Sequence, residues 1–145
     1  MMQKDKVMIA FVCTGNTCRS PMAEGIFNKI ADEKKLDIRA ESFGISTVTG
    51  MEISQNSVLV CDEIGVDLSH KTSTEISDAD LEKYSRFFCM SQSHAKVLSE
   101  FFGIPPSKIT VLDVPDPYGG NLEIYRQCRD EICNSVKEII KAYEN

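Results

Sequence analysis

The sequence predicts an α/β fold in which four parallel strands form one sheet with helices on both faces. Two observations carry this. Residues 7–12 (Val-Met-Ile-Ala-Phe-Val) are an unbroken apolar run, the pattern of a strand buried on both sides. Short apolar runs then alternate with amphipathic stretches to the end of the chain, and such alternation produces parallel strands joined by helical crossovers. The length of 145 residues and the 42% hydrophobic content suit one core, so residues 1–145 read as a single domain.

The elements follow in order. After the first strand, residues 20–36 read as a helix. Ser20 is placed to cap it, Pro21 fits its first turn, and Met22, Ile26 and Ile30 recur on one face. Residues 38–42 form a short strand, and residues 43–52, rich in Gly, Ser and Thr, a loop. Residues 54–64 form a second helix closed by Gly65, and residues 76–83 a short helix capped by Ser77. Residues 86–90 are another buried strand. Residues 93–102 are helical up to Gly103, with Pro105 and Pro106 beyond. Residues 109–112 supply the fourth strand. From Asn121 onward Tyr125, Cys128, Ile132, Val136, Ile139 and Tyr143 recur at threes and fours, which predicts one long amphipathic helix.

Composition excludes several classes of function. A net charge of −6 without a basic stripe argues against nucleic acid. No apolar stretch approaches the roughly 20 residues needed to span a bilayer, and the N-terminal apolar run is too short for a secretion signal. A cytoplasmic protein is expected, with its six cysteines mostly reduced. No Cys-x-x-Cys pair occurs, and the two histidines, His70 and His94, are far apart in sequence, so no metal and no other cofactor is expected.

Ligands of parallel α/β sheets bind at the carboxyl ends of the strands. There the sequence places Cys13-Thr14-Gly15-Asn16-Thr17-Cys18-Arg19-Ser20. Gly15 and Asn16 favour or tolerate left-handed backbone, which lets the segment curl. A thiol, a ring of backbone N–H groups, a fixed guanidinium and a helix N-terminus then surround one small volume suited to a phosphoryl group. Arg19 offers a planar fork for two phosphoryl oxygens. Ser20 can donate a hydrogen bond to the sulfur, and Asn16 braces the loop from behind. These donors and Arg19 predict a Cys13 pKa below that of a free thiol. No Gly-Lys-Ser/Thr follows the glycine, which removes a nucleotide-binding loop.

A second loop, after the fourth strand, carries Asp116 between Pro115 and Pro117. The prolines stiffen the segment and hold the carboxyl at the same edge of the sheet. Asp116 is the predicted acid for the leaving group and base for the attacking water. Asp113, closer to the strand, is its rival.

Together these segments resemble the low-molecular-weight protein tyrosine phosphatase family, and the resemblance runs along the whole chain: Val12 to Glu24, Ser42, Ser69-His70-Lys71, Phe88-Cys89-Met90 and Asp116-Pro117-Tyr118. It implies a Rossmann-like four-stranded parallel sheet, no metal and a phosphocysteine intermediate, with phosphorylated proteins as substrates and inorganic phosphate as product. It makes Cys13 the nucleophile, Arg19 the phosphate clamp, Asp116 the acid and base, and Asn16, Ser42 and His70 the network that holds the loop. It also implies a protective disulfide between Cys13 and Cys18, against which Cys18 as a small packed residue stays open. Thr17 stands where tyrosine-directed members usually carry an aliphatic residue, only Gly119 follows Tyr118, and residues 45–51 contain no aromatic to sandwich a phenol. These features are similar to the protein arginine phosphatase branch, so Thr17 and Tyr118 are the expected substrate-cleft residues. Phosphoarginine is favoured and phosphotyrosine remains open. A thiol-dependent arsenate reductase shares the loop but needs further cysteines on a mobile segment, and residues 90–127 contain none. A non-catalytic phosphate-binding module would not need the thiol and the acid together.

Overall fold

The computed structural model describes residues 6–144. Strands β1 (Val7–Cys13), β2 (Ile38–Gly44), β3 (Arg86–Cys89) and β4 (Ile109–Val111) form one sheet in the order β2-β1-β3-β4. Every pairing is parallel. The helices are α1 (Arg19–Glu33), α2 (Gln55–Asp62), α3 (Gln92–Glu100) and α4 (Leu122–Lys141). The fold is the parallel α/β sheet that the alternation of runs predicts, with the Rossmann-like character that the family resemblance implies.

β1 is central, which explains its unbroken apolar run. Ile9, Phe11 and Cys13 face the core beneath α1, α2 and α4, whereas Ala10 and Val12 face the smaller core beneath α3. Successive side chains of a strand point to opposite faces, so burial of both faces removes any polar alternation. Phe11 packs edge-on against Phe27 of α1, with ring centroids 5.9 Å apart, and lies 5.7 Å from the ring of Phe88. Truncation of so buried an aromatic costs about 3–5 kcal/mol.

Two local expectations are corrected. Residues 76–83 do not form one helix but two separate 3-10 turns, Ile76–Asp78 and Leu81–Lys83, with extended backbone at Ala79 and Asp80 between them. Only Ile76 of these turns is buried, too little apolar surface to hold a continuous helix against the sheet. Helix α1 starts one residue early, at Arg19, and Ser20 does not cap it; its hydroxyl is turned to Cys13 instead. Among the described residues, no helix is long and apolar enough to cross a membrane.

Candidate active site

The segment from Cys13 to Ser20 links the end of β1 to the start of α1 and curls around the Cys13 sulfur. The curl is built by turning carbonyls outward. The N–H groups of Ile45, Ser46 and Ser54 donate to the carbonyls of Cys13, Thr14 and Thr17 at 3.0, 3.0 and 2.9 Å. With these three carbonyls satisfied from outside, the N–H groups of Asn16 and Ser20 turn to the Cys13 sulfur, the arrangement that binds anions. Asn16 N–H donates to Cys13 Sγ at 3.3 Å. The left-handed residue is Asn16, with φ 54°; Gly15 does not use the left-handed region predicted for it. A stricter glycine requirement lies next door. A Cβ on Gly44 would sit 2.8 Å from the Thr14 carbonyl oxygen, 2.8 Å from Thr47 Cγ2 and 3.0 Å from the Gly15 carbonyl carbon.

Asn16 is fully buried. Its amide nitrogen donates to Ser20 Oγ at 2.7 Å and to Ser42 Oγ at 2.9 Å, while its amide oxygen accepts from Thr74 N–H at 2.8 Å. Ser42 lies within β2 and its hydroxyl donates a hydrogen bond to Glu24 Oε1 at 2.7 Å, and Lys71 pairs with that carboxylate at 2.8 Å. Ser20 Oγ lies 2.9 Å from Cys13 Sγ. Because Ser20 already accepts from Asn16, its hydroxyl proton is free for the sulfur.

His70 is not part of this network. Its ring is 81% exposed and pairs with Asp67 at 3.1 Å and Ser69 at 3.2 Å. The turn that carries it points outward, and it is the next residue, Lys71, that reaches Glu24. The histidine that touches the loop is His94, at the start of α3. It is buried, with Nε2 2.8 Å from Thr14 Oγ1 and Nδ1 3.0 Å from Ser91 Oγ. Its place follows from the sheet and not from any local motif. The residues after β3 lie at the carboxyl edge beside β1, because those two strands pair.

Arg19 is buried, with Nη1 donating to the Val114 carbonyl at 2.9 Å and Nη2 3.7 Å from Asp116 Oδ2. The two segments predicted from sequence therefore meet. Asp116 is half exposed, and its Oδ1 accepts from Tyr118 N–H at 3.0 Å, which fixes the carboxyl on its turn. Asp113 has φ 58° and belongs to no hydrogen bond or ion pair with the site. Cys13, Thr14, Gly15, Thr17, Cys18, Arg19, Asp116 and Tyr118 line a cavity of about 210 Å³. Cys13 and Cys18 are both free thiols, and Cys18 Sγ lies 3.6 Å from the buried Tyr125 hydroxyl. Cys61, Cys89 and Cys128 are buried, and Cys133 is half-buried, as core packing predicts.

Burial pushes the Cys13 thiol above its ordinary pKa, contrary to the lowering predicted from sequence. The Ser20 hydroxyl, the N–H groups of Ser20 and Asn16, and Arg19 all pull the other way. These groups stand where water would solvate a thiolate, so they are the means by which this buried sulfur can carry charge. Burial, followed by the Arg19 cation, pulls His94 down to about 4, which keeps it neutral.

The family model described as low molecular weight phosphotyrosine protein phosphatase matches residues 8–145. The chain is 32% identical over 142 residues to the protein-arginine-phosphatase of Bacillus subtilis (strain 168), covering 92% of this chain and 94% of that protein. The crystal structure of a low molecular weight protein tyrosine phosphatase from T. tengcongensis matches with TM-score 0.90 and 34% identity, over 94% of this chain and 99% of that one. The structure of YwlE arginine phosphatase, in a cysteine-to-serine mutant with a phosphorylated active-site serine, matches with TM-score 0.88 and 31% identity, over 94% of this chain and 95% of that one. This chain belongs to the low-molecular-weight phosphotyrosine protein phosphatase family, whose members are phosphoprotein phosphatases.

Proposed function

We propose that this chain hydrolyses phosphoarginine in proteins through a phosphocysteine intermediate. The Cys13 thiolate attacks phosphorus while Arg19 and the inward N–H groups hold the phosphoryl oxygens. As the S–P bond forms, the P–N bond breaks and the Asp116 carboxyl protonates the departing guanidine nitrogen. In the second step the Asp116 carboxylate takes a proton from water. The oxygen bonds to phosphorus, the S–P bond breaks, and inorganic phosphate and the thiolate are released.

The observation that carries this reading is the shared wall of the cavity. Cys13, Arg19 and Asp116 line it together, and Thr17 stands beside them. A hydroxyl serves a flat, polar, cationic guanidinium better than a methyl that packs a ring. Residues 45–51 offer no aromatic to hold a phenol. The arginine phosphatases among the relatives support the same reading. Tyr118 favours the second reading, phosphotyrosine, since its exposed ring lines the same cavity and can stack on a phenol.

The test is kcat/KM for matched phosphoarginine and phosphotyrosine peptides under reducing conditions, with Cys13→Ser as the blank. A strong arginine preference that Thr17→Ile shifts toward tyrosine supports the proposal. A strong tyrosine preference in the wild type overturns it in favour of the second reading. Substantial activity in Cys13→Ser removes the phosphocysteine intermediate.

A further inference from the structure

His94 is a buried titratable group that touches the cavity wall through Thr14, and the proposed chemistry gives it no task. Its surroundings admit two proton arrangements. Ser91 Oγ accepts from His94 backbone N–H at 3.4 Å, where it caps α3, and it also lies 2.8 Å from Ser93 Oγ and 3.0 Å from His94 Nδ1. In the first arrangement the exposed Ser93 donates to Ser91 and Ser91 donates to Nδ1. The neutral ring then carries its hydrogen on Nε2 and donates to Thr14 Oγ1, 2.8 Å away. That leaves the Thr14 hydroxyl proton free. In the second arrangement every donor is reversed: Thr14 donates to Nε2, Nδ1–H donates to Ser91, and only Thr14 lone pairs remain. Thr14 lines the cavity together with Cys13 and Arg19. An anion there is repelled by lone pairs and attracted by an O–H, so a bound phosphoryl group discriminates between the two.

We infer that His94 is a positioning residue that, as its Nε2–H tautomer, turns the Thr14 hydroxyl into a hydrogen-bond donor for the phosphoryl group. The pairing also fixes the Thr14 side chain in one rotamer, so this wall of the cavity has one shape. Neutrality is part of the device. Burial first and the charge of Arg19 second disfavour a cation on the ring, against a smaller opposing pull from Asp116. The inference rests on the phosphate reading of the cavity given above.

Long-range ¹H–¹⁵N spectra report which ring nitrogen carries hydrogen, and the chain holds only two histidines, His70 being the exposed one. The probe is inorganic phosphate. The expected result is His94 in the Nε2–H form in the phosphate complex. Phosphate inhibition should also weaken about tenfold in Thr14→Val, the loss of one hydrogen bond to a charged group. His94→Leu should weaken it equally, the double variant no further, and His94→Gln, which keeps an N–H donor, should recover part. An Nδ1–H ring in the phosphate complex, or additive losses in the double variant, overturns the inference and leaves the phosphate reading standing. Phosphate that moves no amide of residues 13–19 overturns both. Should His94→Leu fail to fold, the tautomer and Thr14→Val still decide.

Discussion

Replacing Asn16 with alanine tests the brace of the loop and its backbone together. The substitution removes three hydrogen bonds, to Ser20 Oγ, Ser42 Oγ and Thr74 N–H, at a fully buried position. At about 1 kcal/mol net for each, their loss costs about 3 kcal/mol. The φ of 54° adds a second cost. Alanine pays about 1–2 kcal/mol in the left-handed region, where asparagine is tolerated because its short side chain bonds locally. The sum is about 4–5 kcal/mol, or a fall in Tm of about 10–20 °C for a chain of this size. Urea unfolding and calorimetry, with thiols kept reduced, measure it. Asn16→Asp separates the parts. It keeps the tolerance for positive φ and an acceptor for Thr74, but both donors are lost. Its carboxylate also accepts the Ser20 proton that otherwise faces the sulfur. Cys13 alkylation at neutral pH should then fall by more than stability does. A loss below about 1 kcal/mol for Asn16→Ala, or unaltered alkylation for Asn16→Asp, refutes the reasoning.

Further predictions concern the neighbours of that loop. Gly44→Ala places a methyl within 3.0 Å of the Thr14 and Gly15 backbone and should cost about 1–3 kcal/mol while lowering kcat; stability and turnover equal to wild type would show that the two segments can separate freely. Asp116→Asn should slow substrates with poor leaving groups by about 10²-fold or more, and those with good leaving groups far less. Equal slowing across a leaving-group series removes Asp116 as the acid. His94 binds a proton at its ordinary 6.5 when unfolded but only at about 4 when folded. Its contribution to stability is therefore complete above pH 6.5 and is lost as the pH falls toward 4, with a slope of at most about 1.4 kcal/mol per pH unit. In His94→Gln the unfolding free energy should fall less steeply over that window; a slope equal to wild type would mean His94 is not held neutral.

Much of this was legible in the chain. The run at residues 7–12 declares a central strand because burial on both faces leaves no polar alternation. The segment 13–20 is legible because thiol, turn residues, guanidinium and hydroxyl occupy consecutive positions, and the same strand-to-helix connection brings them together. What was not legible depends on contacts from elsewhere in the chain. Nothing local to Ser69-His70-Lys71 says which of the histidine and the lysine faces inward, and the structure turns the lysine in. His94 sits in an ordinary amphipathic stretch, and its approach to Thr14 follows only from the pairing of β3 with β1. The direction of the Cys13 shift was not legible for a related reason. The donors are visible in the loop itself, whereas the burial that opposes them comes from the core beneath α1, α2 and α4, assembled from distant parts of the chain.

The outward carbonyls of residues 13, 14 and 17 bear on whether the loop is portable. Its curvature is held by N–H groups of residues 45, 46 and 54, and its close seat on β2 needs the bare α-carbon of Gly44. The eight residues from Cys13 to Ser20 are thus one half of a lock whose other half lies some thirty positions later. Transplanted alone between a strand and a helix of another protein, they would carry the right side chains on a backbone free to turn its carbonyls toward the anion.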